Sequence, residues 1–188
     1  MRVIAGTYRS RPLRSLRGMD IRPTADRLRE TLFDVLCAGN QSALANTVWL
    51  DLFAGTGAVG IEALSRGAAM VYLVDASTKA AELVRANLES LGIAYGFQVM
   101  KVDAVQAIER LERQGLAADY IFHDPPYRME DVYSQTLYAL DKSTLLKPGG
   151  LAIVEHQKRF DPGEKFGTLK RYRVLEQGDA ALSFYRRS

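Results

Sequence analysis

The stretch from Val48 to Glu62 constrains the fold of this chain more than any other part of the sequence. A short apolar run that contains one carboxylate, Asp51, leads into glycines spaced as Gly-x-Gly-x-x-Gly, and apolar residues at helical spacing follow. This order predicts a buried strand, a tight turn and a helix. Glycines at such a turn permit positive φ angles and close approach of a ligand, and the helix start offers free N–H donors. The stretch therefore predicts a nucleotide-binding turn.

Asp51 bears on which nucleotide the turn would bind. Gly-x-Gly-x-x-Gly is also the dinucleotide fingerprint, which leaves an NAD-dependent oxidoreductase open. A carboxylate inside an apolar strand is costly to desolvate unless it meets a donor, and a bound ligand could supply that donor just before the turn. The motif resembles the first motif of S-adenosylmethionine-dependent methyltransferases. That resemblance implies S-adenosyl-L-methionine as cofactor, with its amino-acid end against Asp51, Phe53, Ala54, Gly55, Thr56 and Gly57.

Composition places the chain among ordinary globular proteins. Its 188 residues, 47% hydrophobic and 25% charged, suffice for one domain with a substantial core. The single cysteine, Cys37, excludes an internal disulfide and a cysteine-based metal cluster, and we expect no metal site. Because no apolar run is long enough to span a membrane and no leader follows Met1, we expect a cytoplasmic protein without membrane contact.

Positive charge is concentrated at the two ends of the chain. Residues 1–30 contain eight arginines against three acids, and the segment from Lys158 onward is also basic. The net charge of +3 therefore hides an acidic middle. Arginine makes bidentate contacts with phosphate and stacks on bases, so the ends indicate a polyanionic partner. A solvated basic surface is the alternative.

From Thr47 onward, predicted strands and helices alternate at short intervals, which is typical of a parallel sheet with crossover helices. The runs Arg171 to Leu175 and Ala181 to Tyr185 predict an antiparallel pair. The fold class is therefore α/β, a Rossmann-like class I methyltransferase fold with a seven-stranded, mostly parallel sheet and an N-terminal hairpin and helix. We divide the chain into a basic RNA-facing extension, residues 1–38, and a methyltransferase domain, residues 39–188.

An acid stands at the end of each of the first four predicted strands: Asp51, Asp75, Asp103 and Asp124. Ligands of open α/β sheets lie beyond the carboxyl ends of the strands, so these acids should line one cofactor crevice. Asp75 could accept hydrogen bonds from both hydroxyls of a ribose. Asp103, followed by Ala104, resembles the acid that meets the adenine amino group in the same family. A helix N-cap is the alternative role for Asp75 and Asp103.

Asp124-Pro125-Pro126-Tyr127 is the most specific short motif in the chain. It resembles the catalytic motif of methyltransferases that act on planar amino or amide nitrogens. Such a nitrogen is a poor nucleophile because its lone pair is delocalised, and accepting its hydrogens on Asp124 and on a carbonyl beside the prolines would localise that pair. Tyr127 offers a ring on which the base could stack. We expect His123 to pack, since strand alternation turns it away from the motif acid.

The N-terminal segment extends the resemblance to essentially the whole chain. Arg2 to Gly6, Arg9 to Leu13 and Arg22 to Glu30 are similar to the signature of the bacterial RsmD-type family. That family methylates N2 of a guanine in 16S ribosomal RNA, which implies 16S RNA within a small-subunit assembly particle as the partner of a monomeric enzyme. The resemblance further implies that the residues facing RNA or closing the cofactor pocket are Arg9, Arg11, Arg22, Thr24 and Arg27.

The sequence also permits two other functions. An adenine-N6 methyltransferase acting on DNA or RNA would use the same Asp-Pro-Pro-Tyr motif, although the sequence has no evident target-recognition domain for DNA. A non-catalytic RNA-binding assembly factor would use the basic ends to bind RNA. It would bind RNA whether or not the cofactor is present.

Overall fold

The computed structural model of the protein describes residues 1–15 and 23–188 and, within the first helix, side chains from Asp26 onward. The helices are α1 (Pro23–Cys37), α2 (Ala58–Ser65), α3 (Thr78–Ser90), α4 (Ala104–Arg113) and α5 (Glu130–Lys142). The strands are β1 (Val48–Asp51), β2 (Met70–Val74), β3 (Phe97–Met100), β4 (Ala118–His123), β5 (Leu146–Gln157), β6 (Lys165–Phe166), β7 (Leu169–Gln177) and β8 (Ala180–Arg187). Among these described helices, none combines the length and apolarity that crossing a membrane requires.

All eight strands form one sheet in the order β3-β2-β1-β4-β5-β8-β7-β6. The strands from β3 to β5 in this order are parallel, while β8, β7 and β6 add in antiparallel fashion. The parallel sheet with its antiparallel C-terminal pair confirms the predicted fold class. The edge strand β6 was not predicted, because its two residues are too short to show an alternating pattern. The strand order reverses between β1 and β4, which is where open α/β sheets bind ligands.

Helices cover both faces of the sheet. On one face, α1, α2 and α3 pack their apolar side chains with Trp49 of β1, and on the other face α4 and α5 pack with Leu50 of the same strand. Both side chains are fully buried, as expected for a central parallel strand covered on two sides. This double burial fixes the position of β1, and with it the turn that follows.

The N-terminal segment forms the predicted hairpin in a minimal form, as an antiparallel bridge between Arg2 and Pro12. It turns at Gly6, which has a φ of 80° and lies tightly against α2. A Cβ atom at Gly6 would lie 1.8 Å from the backbone oxygen of Ser65, so only glycine fits this contact.

Glu62 of α2 attaches this hairpin to the rest of the protein. Its fully buried carboxylate accepts hydrogen bonds from the backbone N–H groups of Ile4 at 2.7 Å and Ala5 at 3.0 Å. The same carboxylate pairs with the Nε atom of Arg66 at 2.7 Å. A buried charge with three donors is well compensated, so this site holds the hairpin firmly against α2.

Candidate active site

A cavity of about 640 Å³ opens at the carboxyl ends of the parallel strands. Its wall is formed by Leu52, Phe53, Gly55, Asp75, Ala76, Ser77, Asp103, Ala104, Val105, Asp124, Pro125, Pro126, Tyr127, Met129, Val132, Gln135, Thr136 and Glu155. The structure therefore brings the glycine turn, three of the four predicted strand-end acids and the Asp-Pro-Pro-Tyr motif to one place. A volume of several hundred Å³ is typical of sites for small molecules and cofactors.

The turn after β1 has the conformation that its glycines predict. Gly55 and Gly57 have φ angles of 53° and 80°, which side-chain-bearing residues rarely adopt. Gly60 lies so close to β2 that a Cβ atom would come within 2.8 Å of the Leu73 side chain. Of the predicted cofactor residues in this turn, Phe53 and Gly55 reach the cavity wall, whereas Ala54, Thr56 and Gly57 do not form part of it.

Asp51 departs from the expectation that all four acids line the crevice. Its carboxylate is buried behind the cavity wall, because Oδ2 points toward the start of α2 and accepts a hydrogen bond from the Gly60 N–H at 3.2 Å. Oδ1 makes no hydrogen bond with any described residue. Burial raises the pKa of Asp51 to about 7, against the opposing effect of the backbone N–H groups of Gly60 and Phe53, and repulsion from Asp75 and Glu155 adds to the rise. This carboxylate can therefore accept a donor from a ligand, preferably a cationic one.

Asp75 and Asp103 both reach the cavity wall, and both also organise backbone. Asp75 accepts hydrogen bonds from the N–H of Gly55 at 2.9 Å and of Ser77 at 2.8 Å. Asp103 caps α4 by accepting from the N–H of Gln106 at 2.9 Å. A carboxylate has about four acceptor positions, so each of these bonds leaves capacity for a ligand. The capping role that the sequence left open for Asp103 is thus present.

Asp124 follows the last residue of β4, His123, which is paired with Val154 of β5 in the parallel register. Glu155, the residue after Val154, is therefore the neighbour of Asp124 on the adjacent strand. Burial raises the pKa of both carboxyl groups, and repulsion from Glu155 adds to the rise at Asp124. Glu155 accepts a hydrogen bond from the Tyr127 hydroxyl, which opposes the increase in its own pKa by favouring the charged form. The motif acid therefore has a second carboxyl group as its neighbour in the cavity.

Glu155 was missed in the sequence, although the signal was present. It is an acid near the end of the fifth strand and thus follows the rule that identified the first four. The wall residues of α5, such as Val132 and Thr136, were also missed, because their helical spacing predicts core packing equally well.

His123 is buried and takes no place on the cavity wall. Its ring packs edge-to-face on Phe53, with ring centroids 5.1 Å apart, and lies 5.3 Å from the ring of Tyr133. Burial lowers its pKa to about 3, so the imidazole stays neutral at physiological pH. The prediction that His123 packs is confirmed.

Those predicted RNA contacts whose side chains the structure describes lie outside the cavity wall. Arg9, Arg11 and Arg27 are exposed, and Arg11 donates a hydrogen bond to the backbone oxygen of Ser90 at 3.2 Å. Arg22 and the side chain of Thr24 fall outside the described part of the chain. Arg11 is therefore held near the C-terminal end of α3.

The fold and the cavity together define a methyltransferase that depends on S-adenosylmethionine. Three observations fit that cofactor: the glycine turn, the acid Asp75 at the end of β2, and the incompletely satisfied carboxylate of Asp51. The model of the family described as Conserved hypothetical protein 95 matches residues 1–186, and the chain belongs to this RsmD-type family. The resemblance noted in the sequence is thereby confirmed.

Named relatives and solved structures agree with this placement. The chain is 33% identical to Ribosomal RNA small subunit methyltransferase D of Haemophilus influenzae, over 84% of this chain and 79% of the relative. A hypothetical protein of Thermus thermophilus has a solved structure that matches with a TM-score of 0.81 at 28% identity, covering 98% of both chains. An S-adenosylmethionine-dependent methyltransferase from Agrobacterium tumefaciens shares the fold with a TM-score of 0.65 at 22% identity, covering 88% of this chain and 62% of that one.

Proposed function

We propose that the protein transfers a methyl group from S-adenosylmethionine to the exocyclic N2 of a guanine in 16S ribosomal RNA. The observation that carries the proposal is the position of Asp124-Pro125-Pro126-Tyr127 on the wall of the cavity that also holds the cofactor turn. The relative from Haemophilus influenzae, which is named as a small-subunit ribosomal RNA methyltransferase, supports the choice of RNA.

The cofactor lies along the carboxyl ends of the strands in this proposal. Asp75 accepts from the ribose hydroxyls, and Asp103 with Ala104 meets the adenine. The amino-acid end lies against the turn of Phe53, Ala54, Gly55, Thr56 and Gly57, with Asp51 as the carboxylate beneath its ammonium group. When bound, the cofactor supplies a methyl group on a sulfonium, which carries its own leaving group, so no protein nucleophile is required.

The Asp-Pro-Pro-Tyr motif prepares the nitrogen for attack. Asp124 accepts one N2 hydrogen, and a backbone carbonyl at Pro125 or Pro126 accepts the other, which localises the lone pair on nitrogen. Tyr127 stacks on the base. As the new N–C bond forms and the C–S bond breaks, the nitrogen loses one proton, and the Asp124 carboxylate is the adjacent acceptor. Alignment of the reacting atoms at about 3 to 3.5 Å provides much of the acceleration.

RNA contacts the basic extension, residues 1–38, while the catalytic domain comprises residues 39–188. The contact residues in this proposal are Arg9, Arg11, Arg22, Thr24 and Arg27. The enzyme acts as a monomer on a small-subunit assembly particle in the cytoplasm. Because the acceptor nitrogen must reach an interior cavity, the target guanine is unpaired or flipped outward.

The role of Asp124 is tested by an alanine substitution. With small subunits that lack their own modification and labelled S-adenosylmethionine, we expect Asp124→Ala to slow single-turnover methyl transfer by about 10²- to 10³-fold, comparable to the loss of a key polar group in other active sites. Glu109→Ala, on the exposed side of α4, is the matched control and should keep the wild-type rate. Wild-type turnover by Asp124→Ala would contradict the proposed chemistry.

A further inference from the structure

Glu155 lies on the cavity wall and has no part in the chemistry proposed above. Its strand, β5, is the parallel neighbour of β4, and His123 is paired with Val154. The residues that follow this pair, Asp124 and Glu155, are therefore side by side on strands about 4.8 Å apart. Two carboxyl groups thus face the same part of the cavity, beside the Asp-Pro-Pro-Tyr motif.

The hydroxyl of Tyr127 donates a hydrogen bond to Glu155. Tyr127 belongs to the catalytic motif and lines the same cavity. The bond favours the ionised form of Glu155 and fixes the carboxylate next to the ring that stacks on the base. The hydrogen bond from Tyr127 thus fixes where the Glu155 carboxylate lies relative to the plane of the stacked base.

Guanine presents two kinds of donor next to each other, the ring N1–H and the exocyclic N2 amino group. Two adjacent carboxyl groups match this edge, since bound N–H donors favour the ionised, accepting form of each group and so oppose the rise in pKa that burial causes. We propose that Glu155 accepts the N1–H of guanine while Asp124 accepts an N2 hydrogen, so that this pair of acids selects guanine. The inference rests on the proposed function and adds the residue that determines base specificity.

Adenine and 2-aminopurine carry an acceptor lone pair at N1 in place of the N1–H. Either base would place that lone pair against the carboxylate of Glu155 and leave a buried acceptor without its donor. Sites built around a specific hydrogen bond reject analogues that lack the donor by large factors. 2-Aminopurine is the more informative of the two, because it keeps the 2-amino group that receives the methyl.

The experiment compares guanine with 2-aminopurine at the methylated position of a small-subunit RNA, with the position first located in the wild-type product by mass spectrometry. We expect the wild-type protein to favour guanine by at least about 100-fold in kcat/KM. Glu155→Gln offers an amide N–H that can donate to N1 of 2-aminopurine, and its preference for guanine should fall by about tenfold or more. The loss of O6 in 2-aminopurine affects both proteins alike, so the change in preference isolates residue 155.

Glu109→Gln makes the same chemical change on the exposed face of α4 and should keep the wild-type preference. If Glu155→Gln still binds S-adenosylmethionine, it is folded. The comparison of the two bases by the wild-type protein tests the inference even without this variant. Equal wild-type rates on both bases, or an equal slowing of both by Glu155→Gln, would overturn the inference. Absence of N2-methylguanine from the wild-type reaction on guanine would instead overturn the proposed function, and the inference with it.

Discussion

At the scale of single residues, Asp51 is a carboxyl group whose ionisation is opposed by burial. Its carboxyl group is buried, and its pKa is raised to about 7 from an ordinary value of 3.8. A raised pKa in the folded state means that the protonated form stabilises the fold. That contribution is complete below about pH 4 and disappears as the pH rises through 7.

We therefore expect the free energy of unfolding of the cofactor-free protein to fall between pH 5 and pH 8, with Asp51 contributing roughly 2 to 3 kcal/mol of the decrease. Asp51→Asn should remove the contribution of Asp51 to this decrease. Asp124 and Glu155, whose pKa values are also raised, should still lower the free energy of unfolding as the pH rises. Urea denaturation at the two pH values measures the difference. Asp34→Asn, an exposed change on α1, serves as the control, and an unaltered pH dependence in Asp51→Asn would show that Asp51 is not the source.

At the scale of elements, the N-terminal hairpin is tied to the turn that holds the cofactor. The buried Asn87 of α3 accepts from the N–H of Arg14 at 2.8 Å, and its Nδ2 donates to the backbone oxygens of Arg14 at 3.1 Å and Thr56 at 2.8 Å. One side chain thus joins the hairpin and the glycine turn. The basic hairpin is consequently held at a defined position relative to the cofactor site.

This attachment gives the hairpin arginines a testable role in RNA binding. Replacing both Arg9 and Arg11 by alanine should weaken RNA binding about tenfold at low salt and reduce the slope of log affinity against log salt by about 1.4, the value for two contacts with a single strand. The double change Arg110→Ala and Arg113→Ala, at the exposed end of α4, removes the same charge elsewhere. If both double variants lose affinity equally, binding depends on net charge and the hairpin is not a specific contact.

At the scale of the whole molecule, charge is arranged in two zones. The cavity wall carries the carboxyl groups of Asp75, Asp103, Asp124 and Glu155, whereas the hairpin outside it carries exposed arginines. A carboxylate-lined interior disfavours phosphate, and exposed guanidinium groups attract it. With the RNA substrate proposed above, we expect this arrangement to keep the RNA backbone outside while a single neutral base enters.

The sequence predicted much of this arrangement because its signals are local. The bounds of β2 were predicted as Met70 to Val74, as they are in the structure, and the acids at strand ends follow from a rule about parallel sheets. The early start of β5 at Leu146 was not predicted, because Pro148 and two following glycines favour a turn there. Its pairing with Ala118 overrides that local signal.

Contacts between distant residues could not be predicted from local patterns. The hydrogen bonds of Asn87 to Arg14 span 73 positions, and those of Glu62 to the hairpin span 57 and 58. Likewise, the placement of Asp51 behind the cavity wall depends on how α2 packs over the turn. Such features require the tertiary structure.

The identity of the methylated nucleoside is the measurement that tests the proposed function most directly. The wild-type protein is incubated with labelled S-adenosylmethionine and naked 16S RNA, unmodified small subunits, transfer RNA or DNA, and the products are digested to nucleosides for mass spectrometry. We expect N2-methylguanosine in small-subunit RNA and no product in transfer RNA or DNA. N6-methyladenine in any pool, or no methylated product despite cofactor binding, would contradict the proposed function.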